Sequence, residues 1–469
     1  MSEMAQVTGN IDHAARTHAA LSASSSHRWL MCTPSVKLSE QFVDKPSVYA
    51  EEGTFLHELS EMKLHRYLGD MTLEAIEAQY AEHLDNDFYS DEAENVTDEY
   101  VDFCINSVCG IGSTGRICTD LAQQLEAQGH EVKIAYGRSD TVPEKARKYA
   151  VRIGSSLGVK MHVLQTRFLD THGLGSKGAT KRFLQWADDY NPDLLWLHNI
   201  HGYYINYELL FAWIKGRPNM QVKWTLHDCW AFTGHCSHFT MVKCDRWLTH
   251  CSYCPQTRRY PASYGKDNCK SNFDRKRAAF TGVKNMTLIT PSQWLADLTR
   301  QSFLKEYPVE VHYNTIDTNV FKPTPSDFRE RYGLQDKFIV LGVASVWDER
   351  KGLKDFYKLA QMLDDRYAIV LVGLSRKQMK ELPGNIRGIQ RTNSPQELAA
   401  IYTAADVFFN PTYEDNYPTV NLEAEACGTR VVTYDAGGCK ETIRSKESQN
   451  IQVGSVHAIC NLIQKDAAK

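Results

Sequence analysis

The chain has 469 residues and a formal net charge of −4 at pH 7, and 23% of its residues are charged. This length allows two or three domains, and the balanced charge excludes the general basic surface that favours nucleic-acid or membrane binding. Thirteen cysteines, an odd number in a long chain, argue against a secreted disulfide framework and for reduced thiols or metal ligands. No apolar run reaches the ~18 residues of a membrane helix and no leader pattern opens the chain, so we expect a cytoplasmic protein.

Residues 1–104 differ in composition from the rest, and apolar residues between Phe55 and Leu68 recur at near-helical spacing. Through Leu21-Ser-Ala-Ser-Ser-Ser-His-Arg-Trp this segment resembles the start of a phage-associated RecB-like nuclease family. The main metal ligands of that family come later in its sequence and do not appear here. His57 and Glu61 alone cannot hold a catalytic Mg²⁺. We therefore predict a truncated, mainly helical segment fused to the remainder of the chain.

A strand–helix–strand pattern begins near Val101. Residues 101–108 predict a strand, residues 117–128 an amphipathic helix and residues 129–136 a second strand. Such a unit opens a doubly wound α/β domain, in which ligands bind at the carboxyl ends of the strands.

The loop of residues 110–115 is rich in glycine and lies just before this helix. Glycines let a ligand approach a helix N-terminus closely, and neighbouring hydroxyls add hydrogen bonds. The candidate donor-binding residues here are Gly112, Ser113 and Thr114. A nicotinamide enzyme is disfavoured because the second strand ends in Gly137-Arg138 and not in an acid.

Two further apolar strands end in histidine, near His198 and His227, and His201 follows the first of them. Parallel strands whose carboxyl ends line a cleft place such residues together. Three histidines at two strand ends favour a functional cluster over isolated structural histidines.

A cysteine-rich insertion covers residues 229–264. The Cys251-x-x-Cys254 pair is typical of a zinc knuckle, and Cys236 with Cys244 would complete a tetrahedral site. Such a zinc ion would be structural, because four protein ligands leave no open position. Free thiols are the alternative.

A new strand–helix–strand series begins at Phe338, and Arg350 and Lys351 lie in the loop after its first strand. A pair of cations in such a loop either faces solvent or binds a diphosphate. The nearby glycine and the carboxylates further along the chain favour a diphosphate.

The segment of residues 407–429 predicts a buried strand, a loop and a helix that starts at Pro418. Asp415 lies in the loop and Glu423 in the helix, so both carboxylates are expected above the strand end. Helix N–H groups near Thr419 would bind phosphate, while a carboxylate would bind sugar or ribose hydroxyls. The alternative is an ordinary strand-to-helix connection with a solvated pair of acids.

From about Ile105 onward the chain resembles retaining GT-B glycosyltransferases of the family 4-like type, which use nucleotide-sugars, and in particular exopolysaccharide and colanic-acid-type members. The matching segments include Gly112-Ser-Thr-Gly-Arg, Thr225-Leu-His-Asp-Cys-Trp, Ala344-Ser-Val-Trp-Asp-Glu-Arg-Lys-Gly and Pro411-Thr-Tyr-Glu-Asp-Asn-Tyr-Pro. The resemblance implies an α/β fold of two Rossmann-like domains facing a cleft. The first domain, residues 105–310, would lie on the acceptor side of the cleft. The second domain, residues 311–469, would bind the nucleotide-sugar.

The resemblance also assigns roles. In the family's Glu-x₇-Glu motif the first acid contacts the donor sugar and the second the ribose, which implies Asp415, with Glu414 as the alternative, and Glu423. A family lysine on the donor diphosphate matches Lys351.

A family arginine that precedes this lysine is replaced by Val346, so Arg350 would substitute for it. His227 stands where the family has a histidine near the reacting centre of the donor.

The implied function is transfer of a sugar, with retention of configuration, to a saccharide or lipid-linked acceptor in surface polysaccharide synthesis. It needs no catalytic metal or other cofactor and no nucleic acid, and the acceptor implies peripheral contact with the inner face of the membrane. Two alternatives stay open. One is a catalytically impaired protein that binds nucleotide-sugar, because the fusion replaces the usual first strand and the chain stops soon after Asp466. The other is a phage-related nucleic-acid-processing protein.

Overall fold

A computed structural model of the protein describes residues 101–467. The predicted helical segment with His57 and Glu61 lies outside these residues. From Asp102 to Ala122 and from Val132 onward the chain forms one compact unit. Within the described part of the chain, no helix is long and apolar enough to cross a membrane.

The first domain is built on seven strands with helices between them. The strands are Val101–Ile105 (β1), Glu131–Tyr136 (β2), Ala150–Arg152 (β3), Leu194–Leu197 (β4), Gln221–Thr225 (β5), Met286–Thr290 (β6) and Val309–Val311 (β7). The helices are Gly112–Ala127 (α1), Ser156–Leu169 (α2), Lys177–Tyr190 (α3), Tyr207–Lys215 (α4), Cys269–Phe280 (α5) and Gln293–Gln301 (α6). The parallel sheet has the order β3-β2-β1-β4-β5-β6-β7.

The second domain is built on six strands. They are Phe338–Val343 (β8), Tyr367–Val372 (β9), Ile386–Ile389 (β10), Val407–Asn410 (β11), Arg430–Tyr434 (β12) and Gln449–Ile451 (β13). Its helices are Phe328–Tyr332 (α7), Leu353–Met362 (α8), Arg376–Lys380 (α9), Pro395–Ala404 (α10), Thr419–Ala426 (α11) and Val456–Ala467 (α12). This parallel sheet has the order β10-β9-β8-β11-β12-β13.

Apolar runs make β8, β9, β11 and β12 of the second sheet buried on both faces, as parallel strands between helix layers are. Phe408 and Phe409, consecutive residues of β11, enter two different core clusters. Helix α12 packs in the same cluster as Phe409, through Ile459 and Cys460. The predicted α/β architecture of two Rossmann-like domains is confirmed.

Helix α1 begins at Gly112 and not at Ile117 as the sequence predicted, and β1 ends earlier than predicted. The chain leaves β1 in a turn in which the Asn106 side-chain amide donates to the Val108 carbonyl at 2.8 Å. A Cβ on Gly115 would lie 3.0 Å from the Val108 side chain, so a residue without a side chain allows the helix to start against this turn. Packing here overrides the low helix propensity of glycine.

Candidate functional site

Each sheet has a switch point, where neighbouring strands are connected in opposite directions, and such points are where α/β folds bind ligands. In the second sheet the switch point lies between β8 and β11. The loops after these strands are in backbone contact: the Tyr413 N–H donates to the Arg350 carbonyl at 2.8 Å. Gly352 has a φ of +74°, and a Cβ there would lie 2.2 Å from the Pro411 carbonyl oxygen. The close approach therefore depends on glycine.

Lys351 and Asp415 meet across these two loops. The Lys351 Nζ lies 2.5 Å from Asp415 Oδ2, and the two side chains are 20% and 18% exposed. Burial acts to raise the pKa of Asp415, but the charges of Lys351 and Arg350 outweigh it and hold that pKa below its usual value. The pair is thus an ionised, partly shielded contact that is still open to solvent on one side.

Arg350 lies beside this pair and is 26% exposed. Its Nη1 donates to the Glu414 carbonyl at 2.7 Å. Val346, which stands where the resemblance expects an arginine, has a side chain 67% exposed to solvent. Arg350 and Lys351 together therefore bring two cations to the switch point.

The two neighbouring acids of the loop have different surroundings. Glu414 is 2% exposed, and its Oε1 accepts hydrogen bonds from the Thr240 hydroxyl at 2.7 Å and the Met241 N–H at 2.9 Å. Its carboxylate thus joins the cysteine-rich insertion of the first domain to the second domain. Asp415 is the acid that contacts a cation, whereas Glu414 contacts the other domain.

Glu423 lies in α11, where it is 6% exposed and accepts a hydrogen bond from the Tyr402 hydroxyl at 3.1 Å. Burial raises its pKa, and the charge of Arg116, on α1 of the first domain, acts in the opposite direction. Thr419, half-buried, opens the same helix. Glu423 and the N-terminus of α11 therefore lie on one element, next to the loop that carries Asp415.

His227 lies just after β5 in the first domain. Its Nε2 lies 3.0 Å from Nδ1 of His198, and burial lowers the pKa of both rings, that of His227 to about 4. Both imidazoles are therefore neutral at pH 7. The Asn416 side chain donates to the His227 carbonyl at 3.2 Å, which brings His227 to the loop of Asp415. The third predicted histidine, His201, instead pairs with Asp228, its Nε2 lying 3.2 Å from Oδ2.

His238 also belongs to this region, although its sequence context groups it with the cysteines. Burial lowers its pKa, as does the charge of Arg350, and the charges of Asp228, Glu414 and Asp415 oppose them. It is thus close to the cations and acids of both domains. No sequence pattern signals this, because the insertion reaches the second domain only in the folded chain.

The glycine-rich loop lies at the switch point of the first sheet, between β1 and β4. The Asn199 side chain, just after β4, donates to the Thr114 hydroxyl at 3.4 Å. A Cβ on Gly112, whose φ is +68°, would meet nothing within 4 Å. This switch point thus has space beside Gly112, and its described contact joins an amide and a hydroxyl where that of the second sheet joins Lys351 and Asp415.

Polar contacts hold the two domains together beside the site. The Ser292 hydroxyl donates to Asn416 Oδ1 at 2.7 Å. The Glu441 carboxylate accepts from the N–H groups of Gln293 and Trp294, at 2.6 and 2.8 Å, and so binds the N-terminus of α6 from the other domain. Because of these contacts, loops from both domains surround the predicted site residues.

The four cysteines predicted as zinc ligands, Cys236, Cys244, Cys251 and Cys254, line one cavity of about 20 Å³. Among residues 101–467, no three His, Cys, Asp or Glu side chains stand in an arrangement ready to hold a metal ion. These four thiols are free.

Comparison with known families gives three matches. Glycosyltransferase Family 4 matches residues 114–320, and Glycosyl transferases group 1 matches residues 326–465. A protein family of unknown function, DUF2800, matches residues 18–149 and so overlaps the start of the first match.

Among curated proteins, a putative colanic acid biosynthesis glycosyl transferase, WcaC, of Escherichia coli strain K12 is 23% identical over 286 residues, 59% of this chain and 68% of that protein. The N,N'-diacetylbacillosaminyl-diphospho-undecaprenol alpha-1,3-N-acetylgalactosaminyltransferase of Campylobacter jejuni is 32% identical over 121 residues, 25% of this chain and 31% of that protein.

Solved structures share the fold at low identity. Sucrose-phosphate synthase from Thermosynechococcus elongatus superposes with a TM-score of 0.58 at 16% identity, covering 79% of this chain and 90% of that one. Anabaena HepE in complex with UDP-glucose gives a TM-score of 0.52 at 15% identity, with the same coverage.

The two parallel sheets and these matches define the GT-B fold of glycosyltransferases. More narrowly, the fold is of the group 1 and family 4-like type, and a colanic acid glycosyltransferase is among the homologues of the chain.

Proposed function

We propose that the protein transfers a sugar from a nucleotide-sugar donor to a saccharide or lipid-linked acceptor with retention of configuration. The observation that carries this proposal is the contact of Lys351 with Asp415, 2.5 Å apart, beside Arg350 at the switch point of the second sheet. Two cations at such a point suit a diphosphate, and a carboxylate among them suits sugar hydroxyls.

Charge development on the leaving group explains why cations are needed. As the bond between the anomeric carbon and the diphosphate oxygen breaks, negative charge grows on the diphosphate, and Lys351, Arg350 and the N-terminus of α11 near Thr419 stabilise it. The acceptor oxygen bonds to the anomeric carbon on the same face, and its proton passes to the leaving phosphate oxygen. These bond changes need no catalytic metal.

Other residues would orient the donor. His227, which is neutral because its pKa is about 4, can form a hydrogen bond with a sugar hydroxyl without adding charge next to the reacting carbon. Asp415 is kept ionised by its cations and can accept from another hydroxyl. Glu423 would contact the ribose, while Glu414 supports the loop from behind.

The similarities support a donor and an acceptor of these classes. HepE has been solved with UDP-glucose, and the Campylobacter relative is named for a lipid-linked, undecaprenol-bearing acceptor. We therefore propose a role in surface polysaccharide synthesis, with the protein in contact with the inner face of the membrane through its acceptor.

A thermal-shift screen against UDP-, GDP- and ADP-sugars tests donor binding, because a ligand of the native state raises Tm. We expect one nucleotide series to raise Tm in the presence of EDTA, and a mixture with acceptor lipids or saccharides to release the nucleoside diphosphate. NMR of the product's anomeric centre then tests retention. Binding without release with any acceptor would favour a nucleotide-sugar-binding protein, and no shift with any nucleotide would contradict the proposal.

A further inference from the structure

The cysteine-rich insertion of the first domain encloses a cavity of about 20 Å³, large enough for one small ion or a water molecule. Thiols of Cys236, Cys251 and Cys254 line it, together with the ring of His235. The candidate glycosyl-transfer site does not use any of these four side chains.

His235 is bound on one side and unpartnered on the other. Its Nδ1 lies 2.5 Å from Asp170 Oδ1, and both side chains are fully buried. Its Nε2 is buried and has no hydrogen-bond partner. Histidines that bind metal commonly donate their other ring N–H to a carboxylate, which fixes the ring and leaves the free nitrogen for the metal.

Asp170 is itself held in place for this role. It ends α2 in a left-handed conformation with a φ of 50°, and its Oδ2 accepts from the Asn268 N–H at 2.8 Å. The Asn272 side chain donates to its carbonyl at 2.6 Å. The carboxylate therefore comes from an element outside the insertion and orients His235 within it.

Backbone groups lie close to one of these thiols. The Gly234 N–H donates to Cys251 Sγ at 3.2 Å, an interaction that suits a thiolate. A Cβ on Gly234 would lie 2.1 Å from the Cys269 carbonyl oxygen, so glycine is required for this approach.

A buried cation lies beside the cavity. Lys276 is 1% exposed, and its Nζ donates to the carbonyls of Trp230 and Thr233 at 2.7 and 3.0 Å. Its charge interacts with Cys236 and Cys251. A buried charge requires compensation, and both the buried carboxylate of Asp170 and thiolates formed on metal binding supply negative charge near this side chain.

We propose that this cavity binds one zinc ion through the thiolates of Cys236, Cys251 and Cys254 and through Nε2 of His235. This set replaces Cys244 of the sequence prediction by His235. Within residues 101–467 no three such groups are arranged to hold a metal ion, so binding must bring these side chains closer together. With four protein ligands the ion is structural.

The same insertion carries Thr240 and Met241, whose hydrogen bonds hold Glu414 of the second domain. A zinc ion would fix the insertion as a rigid body and so support the loop of Asp415 from a distance. Its loss should lower Tm, whether or not the proposed transfer reaction is correct.

The test measures metal in the full-length protein, purified without chelators under reducing conditions. We expect about one zinc per chain by plasma mass spectrometry, and an X-ray absorption edge that fits three sulfur ligands and one nitrogen. Four sulfur ligands would overturn the assignment of His235. A protein that contains no zinc and takes up none on anaerobic titration with Zn²⁺ would overturn the site.

Variants give an independent readout. His235→Gln and Cys254→Ser should each lose most of the zinc, and Cys244→Ser should keep it. Cys460→Ser, in the buried core of the second domain, is the matched control and should keep full stoichiometry. If Cys254→Ser fails to fold, the wild-type absorption spectrum still decides the ligand set. Loss of zinc in Cys244→Ser together with retention in His235→Gln would contradict the proposal.

Discussion

The switch points of the two sheets differ in charge. Between β8 and β11 the loops carry Lys351, Arg350 and an ionised Asp415. Between β1 and β4 they carry glycines, Thr114 and Asn199, and the histidine just after β4 is neutral because burial lowers its pKa. The same topology thus brings cations and an acid together at one switch point, and hydroxyl and amide groups at the other.

Removing the Lys351 ammonium group should have the largest effect on activity. We expect Lys351→Ala to lower kcat by about 1000-fold, because charge on the departing diphosphate loses its closest partner. Lys354→Ala is the control: Lys354 lies at the start of α8, is 75% exposed and pairs with Glu349. Circular dichroism and Tm should show that both variants fold. Equal activity in the two variants would mean that the charged switch point is not where the donor diphosphate reacts.

A smaller loss of activity is expected from Glu423→Gln. This substitution keeps the shape of the side chain that accepts from the Tyr402 hydroxyl but removes its charge. We expect KM for the donor to rise by about 10- to 100-fold with a smaller change in kcat, since a hydrogen bond to a charged group contributes about 1.5–3 kcal/mol. Glu425→Gln, on the same helix, tests the specificity of the effect, because its carboxylate accepts from the N–H groups of Arg444 and Ser445 instead. A matching rise in KM for Glu425→Gln would assign the effect to the helix and not to Glu423.

The contact between the domains can be tested with two acids of different burial. Glu414→Gln weakens the two bonds from Thr240 and Met241, and we expect it to lower the free energy of unfolding by about 1–2 kcal/mol. Glu349→Gln breaks the ion pair with Arg259, in which both side chains are about half exposed, and should change the free energy of unfolding much less, because solvent screens such a pair. Urea denaturation of both variants gives the comparison, and the opposite order would mean that Glu414 does not join the domains in solution.

Stability should also depend on pH through His227. Its pKa is about 4 in the folded chain and ordinary when unfolded, so the unfolded state binds more protons between these values. Its contribution is therefore present above about pH 6.5 and is lost as pH falls towards 4. We expect His227→Gln to remove on the order of 2 kcal/mol of this acid destabilisation, measured by denaturation at pH 7 and pH 4.5. Identical pH slopes in the variant and the parent would contradict a buried neutral His227.

Much of the fold could be predicted from the sequence, because parallel strands buried on both faces are continuous apolar runs such as Tyr367–Val372. The contacts of the site residues were harder to predict from the sequence. The spacing of the acids indicates Asp415 and Glu423 as site residues, and the composition of the loop indicates Lys351. The residues that contact them, however, are distant in sequence. Thr240 contacts Glu414 across 174 positions.

Two further features of the structure could not be predicted from the neighbouring residues in the sequence. The start of α1 at Gly112 contradicts glycine's low helix propensity, and Gly115 in the first turn lies against Val108. The unpartnered nitrogen of His235 is visible only because Asp170, 65 positions away, holds the other nitrogen. Patterns within one segment predict elements, whereas side-chain environments depend on which segments meet.

The carboxylate of Glu441 has one more consequence for how the molecule moves. Because it binds the first two N–H groups of α6 from the opposite domain, while Ser292 caps the helix within its own domain, any separation of the domains must leave the N–H groups of Gln293 and Trp294 to solvent. A hydrogen bond to a charged group contributes about 1.5–3 kcal/mol. Glu441 therefore helps to hold the two domains together, and any separation of them breaks both hydrogen bonds.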